Sequence, residues 1–555
     1  MYKNLKDYIS ALAEQGSLAQ ITVPVDPELE MAEIIDRQSK APHGGRALLF
    51  TSTGSEFPVL ANAMGSEQRM ATALGVDRLD DIPRSIEDLF SLMKSPAPGL
   101  WAKLRFLPLL NSARRWFPRH TKGRGQCQQV VCRGAEVDLD RLPILRTWPL
   151  DGGRFITLPL VHTMDPDTAA RNVGMYRMQV IDSATTAMHW QLHKTGARHY
   201  ERYKALGQRM PVSVCLGGDP IYTYAATAPL PDGVDEYLLA GFLRRKPVRL
   251  VKCLTNELSV PSDVDFVIEG YVDPSQEKIP EGPFGDHTGF YSLTDRYPLF
   301  HITCITWRHG AIYPATLVGV PPMEDRYLAL ATEKIFLAPL RMAIAPEVTG
   351  LYMPWQGVAH NLAVVQIEHS YAGQGFKVAS ALWGAGQMSF CKYIIITASI
   401  EQFKARWRDA PWSVVGEILL SDGVADVLDH AGATLGRGGK MCIDQTSPEA
   451  TRWSVRPIFD PGVELLSLDE QLWIALGNSD PKRDVELRGA EIHLDARSKT
   501  LARRDFPNIV TMDNQTIQKV DQRWTQYNIG PFLSSPSLRY KHLIKGKNAE
   551  QTQND

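Results

Sequence analysis

Apolar residues recur at helical spacing near the N-terminus, where Leu5, Tyr8, Ile9 and Leu12 share one face. Asn4 stands at the N-cap position, Asp7 follows three residues on, and Gly16 marks the stop. Met31, Ile34 and Ile35 predict a second helix, and Gly65-Ser66 opens a third that ends at Gly75. Between them, Ala47-Leu48-Leu49-Phe50 and residues 58–62 are short apolar runs of strand type. Alternating helix and strand predicts an α/β domain over residues 1–125.

From 126 to 322 the pattern turns mostly to strands: 128–133, 155–164, 174–181, 212–216, 248–253, 264–271, 299–307 and 313–318. Proline and glycine between them predict a barrel or sandwich, interrupted by one helix over 234–243. Helix–strand alternation returns over 323–510, with helices at 324–342 and 376–382 and strands at 361–367 and 393–397. In 511–555, Asp513 caps a helix whose stripe is Ile517, Val520 and Trp524. So narrow a stripe predicts an arm that docks onto another subunit, and the polar residues after Ser534 predict a frayed tail.

At 555 residues the chain exceeds one core, since domains run to about 100–200 residues. A net charge of -2 excludes a global field for polynucleotide or anionic membrane. The basic, aromatic stretch 103–124 accordingly reads as a solvated linker face, and no nucleic-acid partner is expected. The opening residues lack a signal peptide's apolar core and no apolar run reaches the roughly 18 residues of a spanning helix, so a cytoplasmic protein is expected. Seven scattered cysteines without a CxxC pair predict reduced, buried thiols.

Candidate chemistry concentrates at Glu281-Gly-Pro-Phe-Gly-Asp286-His-Thr-Gly289. Glycine and proline there predict a tight loop that holds two carboxylates together and pushes their pKa values apart. The plain alternative is a surface turn with solvated acids. Met175, Arg177 and Gln179 would share one face of a strand, where a buried Arg needs an anion. His189, His193 and Lys194 cluster a dozen residues on, and Asp235-Glu236 open a helix, where acids commonly just suit the dipole. Asn172, His193 and Glu236 would together make an O/N/O set suited to Mn²⁺ or Mg²⁺ shared with a phosphate. The chain has no Walker A, no GxGxxG at a strand-to-helix turn, no HExxH and no GxSxG.

Five ordered blocks carry a resemblance: Asn172-Val-Gly-Met-Tyr-Arg177, Trp190-Gln-Leu-His193, Pro231-Asp-Gly-Val-Asp-Glu236, Val251-Lys-Cys-Leu-Thr-Asn-Glu-Leu258 and the Glu281–Gly289 stretch. They resemble the signature blocks of the UbiD family, reversible non-oxidative decarboxylases of aromatic and α,β-unsaturated acids that use prenylated FMN. The likeness runs from about residue 3 to 445 and returns near Val520–Trp524. It implies an α+β, multidomain fold: a central split β-barrel like that of flavin reductases, N- and C-terminal α/β domains on either side, and a C-terminal helical arm reaching a partner in a homo-oligomer (dimer or hexamer). By that resemblance Asn172, His193 and Glu236 bind a divalent metal that holds the cofactor phosphate, with K⁺ nearby. Met175, Tyr176, Arg177, His189, Trp190, Gln191, Lys194 and Thr195 line the flavin, and Lys392 approaches its phosphate. Arg177, Glu281 and Asp286 form the acid–base triad, in which Arg177 orients the substrate carboxylate and Asp286 delivers a proton.

That delivery calls for a raised Asp286 pKa, toward which Glu281 would push and Arg177 would pull the other way. Many ubiquinone-pathway members carry Gln at the place of Met178 and Arg-Gly at the place of Lys194-Thr195. The expected substrate is a 3-polyprenyl-4-hydroxybenzoate of quinone biosynthesis, followed by a naphthoate of menaquinone synthesis or a smaller phenolic acid. A flavin prenyltransferase would supply the cofactor, and peripheral membrane contact follows only for a polyprenylated substrate. A reading of another class is a flavin-binding protein without decarboxylase activity; the complete triad argues against it.

Overall fold

The computed structural model describes residues 2–84, 86–87, 114–409, 418–419, 440–446, 452–488, 491–499 and 506–551. Half of the basic stretch 103–124, residues 103–113, therefore lies outside the described residues. In the first helix, Leu5–Glu14, the Asn4 side chain accepts the Asp7 N–H at 3.1 Å, and Leu5, Tyr8, Ile9 and Leu12 are buried. The helix Glu67–Leu74 is capped by Ser66 and stopped by Gly75 at φ +69°, a left-handed conformation that favours glycine. Four strands form the sheet beside them, in the order Leu18–Ile21, Ala47–Phe50, Val59–Ala61, Tyr313–Ala315. The last of these, expected in the middle domain, instead pairs in parallel with Val59–Ala61.

The central sheet explains where the site lies. Its path runs Phe155–Ile156, Met178–Asp182, Thr185–Met188, Leu299–Trp307, Phe266–Val272, Met210–Leu216, Leu160–Met164, Arg171–Met175, with Val130–Arg133 pairing to Leu299–Trp307. The expected continuous strand over 174–181 is thus two strands that lie six places apart in the sheet. Six inter-strand steps of ~4.8 Å would separate them by ~29 Å in a flat sheet. Tyr176 and Arg177 alone join them, and three Cα steps of ~3.8 Å reach at most ~11 Å. The sheet has to curl until its ends nearly meet, and Arg177 sits in that short link.

Three helices, not one, accompany this sheet: Thr195–Leu206, Pro220–Thr227 and Glu236–Arg244. Pro220 reads as a breaker in sequence, yet it occupies the first helical turn behind an Asp219 cap, where its missing N–H costs nothing. The run 248–253 gives Arg249–Lys252 in a separate three-stranded sheet. Beyond the long helix Asp325–Ala343, the strands Val348–Tyr352, Leu362–Ile367, Tyr393–Thr397 and Met441–Asp444 form one sheet. A second sheet is formed by Ile418–Leu419, Arg452–Ile458, Glu491–Asp495 and Val485–Arg488, the last three from residues 446–510, which also supply the helix Leu468–Asn478.

The last helix, Asn514–Tyr527, is capped by Asp513 and buries Ile517, Val520, Trp524 and Tyr527. Each such side chain contributes roughly 1.5–3 kcal/mol. The stripe packs on the chain's own helix Glu30–Ser39, where Arg37 pairs with Asp521 at 2.7 Å and Tyr527 donates to Glu30 at 2.7 Å. No second subunit is needed to cover it, contrary to the docking expectation. As far as Gln551 the tail is not frayed either: Ser535, Ser537 and Tyr540 are buried, and the Gln551 N–H donates to the Phe506 carbonyl at 2.7 Å. All seven cysteines are free and buried. Among the described residues no helix is long and apolar enough to cross a membrane.

Candidate active site

Arg177 reaches from the two-residue link to both acids. Its Nε and one terminal nitrogen donate to Glu281 at 2.8 and 3.1 Å, a bidentate fork. The other terminal nitrogen donates to Asp286 Oδ2 at 3.1 Å, Ser292 Oγ accepts at 3.2 Å, and the Phe284 ring lies 4.7 Å below the guanidinium. Glu281 is fully buried and also meets His189 Nδ1 at 3.0 Å. Among the described residues four of the five guanidinium N–H groups are therefore engaged, which leaves one on the nitrogen facing Asp286.

The acid loop is held from outside. Gly282 has φ +96°, and its N–H donates to Gln179 Oε1 at 2.7 Å. Gln179 Nε2 donates to the Gly152 carbonyl at 2.9 Å, while the Gly152 N–H donates to the Pro283 carbonyl at 2.7 Å. Asp151 accepts the Gly285 N–H at 2.7 Å through one oxygen and the Thr147 and Trp148 amides through the other. Burial pushes the Asp151 carboxyl up to about 6, against those hydrogen bonds. A Cβ on Gly285 would lie 2.2 Å from Trp148 Cδ1. Gly285→Ala is expected to destabilise by about 1–3 kcal/mol through overpacking and to displace Asp286; thermal unfolding with turnover checks both.

The electrostatics depart from the sequence reading. Burial alone would raise the Asp286 carboxyl, but the charge and hydrogen bond of His287, with the charge of Arg177, hold it well below the usual carboxylate range. His287 Nδ1 lies 2.7 Å from Asp286 Oδ1, and that anion raises the imidazole above 6.5 in spite of burial. His287 was outside the sequence argument, and with Arg177 it makes two cations against one carboxylate. Glu281 is likewise lowered, burial being outweighed by His189 and Arg177. His287 Nε2 stands 3.4 Å from His360 Nε2, and burial pushes His360 down to about 3.

Of the residues expected to hold a flavin, Met175 and Tyr176 directly precede Arg177, the His189 N–H donates to the Arg177 carbonyl at 3.3 Å, and Trp190 packs beside Gly196 and Tyr200. The Tyr176 ring lies over Gly174, where a Cβ would come within 2.4 Å of it. Trp190 Nε1 is buried with no hydrogen-bond partner. Lys194, whose amine burial lowers, has none among the described residues either. These two unspent donors suit an anionic ligand. Gln191 is exposed and Thr195 Oγ1 accepts from Arg198 at 3.0 Å. Lys392 is occupied otherwise: its Nζ donates to the carbonyls of Leu476, Gly477 and Ser479 at 2.9, 3.2 and 2.9 Å, closing a helix end.

For the metal set, Glu236 accepts the Val173 N–H at 3.0 Å, which brings it beside Asn172. Burial pushes the Glu236 carboxyl up to about 7, so a cation there would supply charge that its surroundings lack. Asn172 donates to Thr163 Oγ1 at 3.2 Å. His193 is exposed with its ring 4.5 Å from Phe390, and no hydrogen bond joins it to the other two among the described residues. The donor types fit Mn²⁺ or Mg²⁺, with Asn172 and Glu236 already together and His193 turned aside.

Three domain models of one family match in chain order: the N-terminal domain of 3-octaprenyl-4-hydroxybenzoate carboxy-lyase over residues 9–89, its Rift-related domain over 119–321 and its C-terminal domain over 326–445. The chain belongs to the UbiD family. It is therefore a carboxy-lyase. An uncharacterized protein of Aquifex aeolicus is 42% identical over 491 residues, 86% of this chain and 99% of that one. Another, from Archaeoglobus fulgidus, is 39% identical and covers 95% and 98%. The fold also matches a UbiD-class enzyme, HmfF of Pelotomaculum thermopropionicum solved with FMN (TM-score 0.62, 23% identity, 84% and 99% covered). It matches the closed form of vanillic acid decarboxylase of Sedimentibacter hydroxybenzoicus too (TM-score 0.63, 21% identity, 95% and 99% covered).

Sequence reasoning missed several residues of this UbiD site. Asp151 and Trp148 lie more than a hundred positions before the loop they hold, so no local spacing reveals them. Gln179 lies on Met178–Asp182, not on one strand with Met175, and no sign of its partners Gly152 and Gly282 is present in the sequence. His287 stands inside the loop motif, and its direct adjacency to Asp286 is the available signal.

Proposed function

We propose that the protein is a prenylated-FMN-dependent decarboxylase of an aromatic acid, with the curled sheet serving as the family's split barrel. One observation carries this: a buried guanidinium held by two carboxylates, with a single N–H unspent. Prenylated FMN, when bound, supplies the electron sink that an aryl carbanion lacks. Trp190, Lys194 and the Met175–Arg177 segment would hold it, with a divalent cation at Asn172, Glu236 and His193. The free Arg177 N–H orients the substrate carboxylate, and the Glu281 fork keeps the guanidinium from turning.

A second anion at Arg177 also shares the cation that depresses Asp286, which raises the Asp286 pKa. Asp286 then takes the Nδ1 proton of His287 and passes it to the ring carbon as CO₂ leaves. One proton replaces one carboxylate, and the site returns to its charge when His287 is reprotonated. The substrate proposed first is a 3-polyprenyl-4-hydroxybenzoate, ahead of a naphthoate or a smaller phenolic acid. A homo-oligomer remains part of the proposal, through surfaces other than the last helix's apolar stripe.

Reconstitution with prenylated FMN from a flavin prenyltransferase, followed by a screen of aromatic acids for CO₂ release, tests the reading. Solvent deuterium should enter the ring at the vacated carbon. Bound cofactor with no CO₂ from any acid would leave only a flavin-binding protein. Separately, Mn²⁺ is expected to bind with affinity that rises from pH 6 to 8 as Glu236 ionises, and Glu236→Gln to weaken it at least about tenfold; calorimetric titration without flavin checks this.

A further inference from the structure

The acid loop also packs against a residue outside all three matched domain models. Trp473, in the helix Leu468–Asn478, is 1% exposed, and its Nε1 donates to the Thr288 carbonyl at 2.8 Å. A Cβ on Gly289 would lie 2.3 Å from Trp473 Cζ2, and the Phe290 ring centroid stands 5.4 Å from the indole. The loop in turn is closed on Asp286: the Gly289 N–H donates to the Asp286 carbonyl at 3.0 Å, and the Asp286 N–H to the Phe290 carbonyl at 3.1 Å. Whatever holds Thr288 and Gly289 thus sets the backbone from which the Asp286 carboxylate meets Arg177.

The helix carrying Trp473 is itself fixed at both ends. Ser467 and Glu470 form a capping box at its start, and Lys392 Nζ takes carbonyls at its end. Gln356 donates to Asp469 at 2.7 Å. The loop's far side is backed as well, by the Val510 N–H donating to the Gly289 carbonyl at 2.9 Å. A rigid indole pressed between a glycine and a carbonyl locates a turn more narrowly than apolar packing alone, because a hydrogen bond adds direction.

We infer that Trp473 is a positioning residue of the decarboxylase, a post supplied by the chain beyond residue 445 that fixes the Asp286–Gly289 turn against Arg177. The inference rests on the decarboxylase reading for its consequence and on geometry for the post. In cofactor-free protein, Trp473→Phe should speed amide hydrogen exchange at Asp286 and Gly289 by about fivefold, the worth of one hydrogen bond. In the holoenzyme, the same change should lower kcat by about fivefold with KM within about twofold. Trp473→Ala should lower kcat by about 10- to 100-fold, as misplacement of a reacting group does. Trp524→Phe, in the last helix, is the control: it should lower Tm and leave kcat and exchange at the loop unchanged.

Exchange at wild-type rates in Trp473→Phe, or kcat equal to wild type in Trp473→Ala, overturns the inference. Should wild-type holoenzyme release no CO₂ from any acid, the decarboxylase reading fails. The exchange experiment still decides whether Trp473 holds the turn.

Discussion

Arg177→Ala is expected to abolish measurable turnover and to unfold at a markedly lower temperature. The guanidinium satisfies a bidentate fork on a fully buried Glu281, a bond to Asp286 and one to Ser292. Removing one member of such a buried pair costs about 3–5 kcal/mol, because the remaining charge has no solvent to fall back on. The loss in kcat/KM should reach at least ~10²–10³, the effect of deleting one preorganised donor. Arg177→Lys separates charge from shape: it keeps the cation and loses the fork, so the carboxylate is attracted without being oriented. Full turnover in Arg177→Lys would remove orientation from the account.

The stability part has a sign. Glu281 is held below its ordinary 4.5 in the folded protein, so its contribution is present above 4.5 and lost as pH falls through the lower folded value. Without Arg177 the same burial raises it. The gap in Tm between wild type and Arg177→Ala should therefore be widest at neutral pH and shrink on acidification below about 5. A gap that widens toward pH 4 would contradict the pairing.

How far the chain could be read in advance depended on distance along it. The caps at Asn4, Ser66 and Asp513 are local and came through, because a capping side chain acts within three residues. The strand Tyr393–Thr397 did too, as an apolar run, and Leu299–Trp307 as apolar residues alternating with His301 and Thr303. The break at Tyr176–Arg177 did not, since alternation continues straight through it; the interruption comes from closing a curled sheet, which no window of ten residues records. Thr195–Leu206 was missed because its buried face is only Gly196, Ala197, His199, Tyr200 and Tyr203, too polar for a core stripe.

The site divides the same way. The three charged residues were legible because blocks of motif surround each. Their electrostatic balance was not, because Asp286 is governed by what folds against it. Asp151, Trp148 and Trp473 act on the loop through contacts made across the fold.

Asp286→Asn should leave flavin and metal binding intact and lower kcat by about 10²–10⁴, the span of general acid catalysis by one positioned group. The amide keeps an acceptor for Arg177 but carries no transferable acid proton, so KM should hardly move. Turnover at the wild-type rate would remove Asp286 as the proton's last stop. The pH dependence of stability gives a second handle. In the wild type Asp286 is depressed, so its contribution is full above its ordinary 3.8 and is lost only as pH falls through the much lower folded value. His287 is raised, so its share is full below 6.5 and is lost as pH climbs through its higher folded value. Both shares coexist between about pH 4 and 6.5, and the variant abolishes both. The difference in Tm between wild type and Asp286→Asn should be greatest there and narrow on the alkaline side, where only the bond to Arg177 survives. A difference that instead grows above pH 7 would mean that His287 carries no proton in the resting site, and the proton would then have to reach Asp286 from the substrate side.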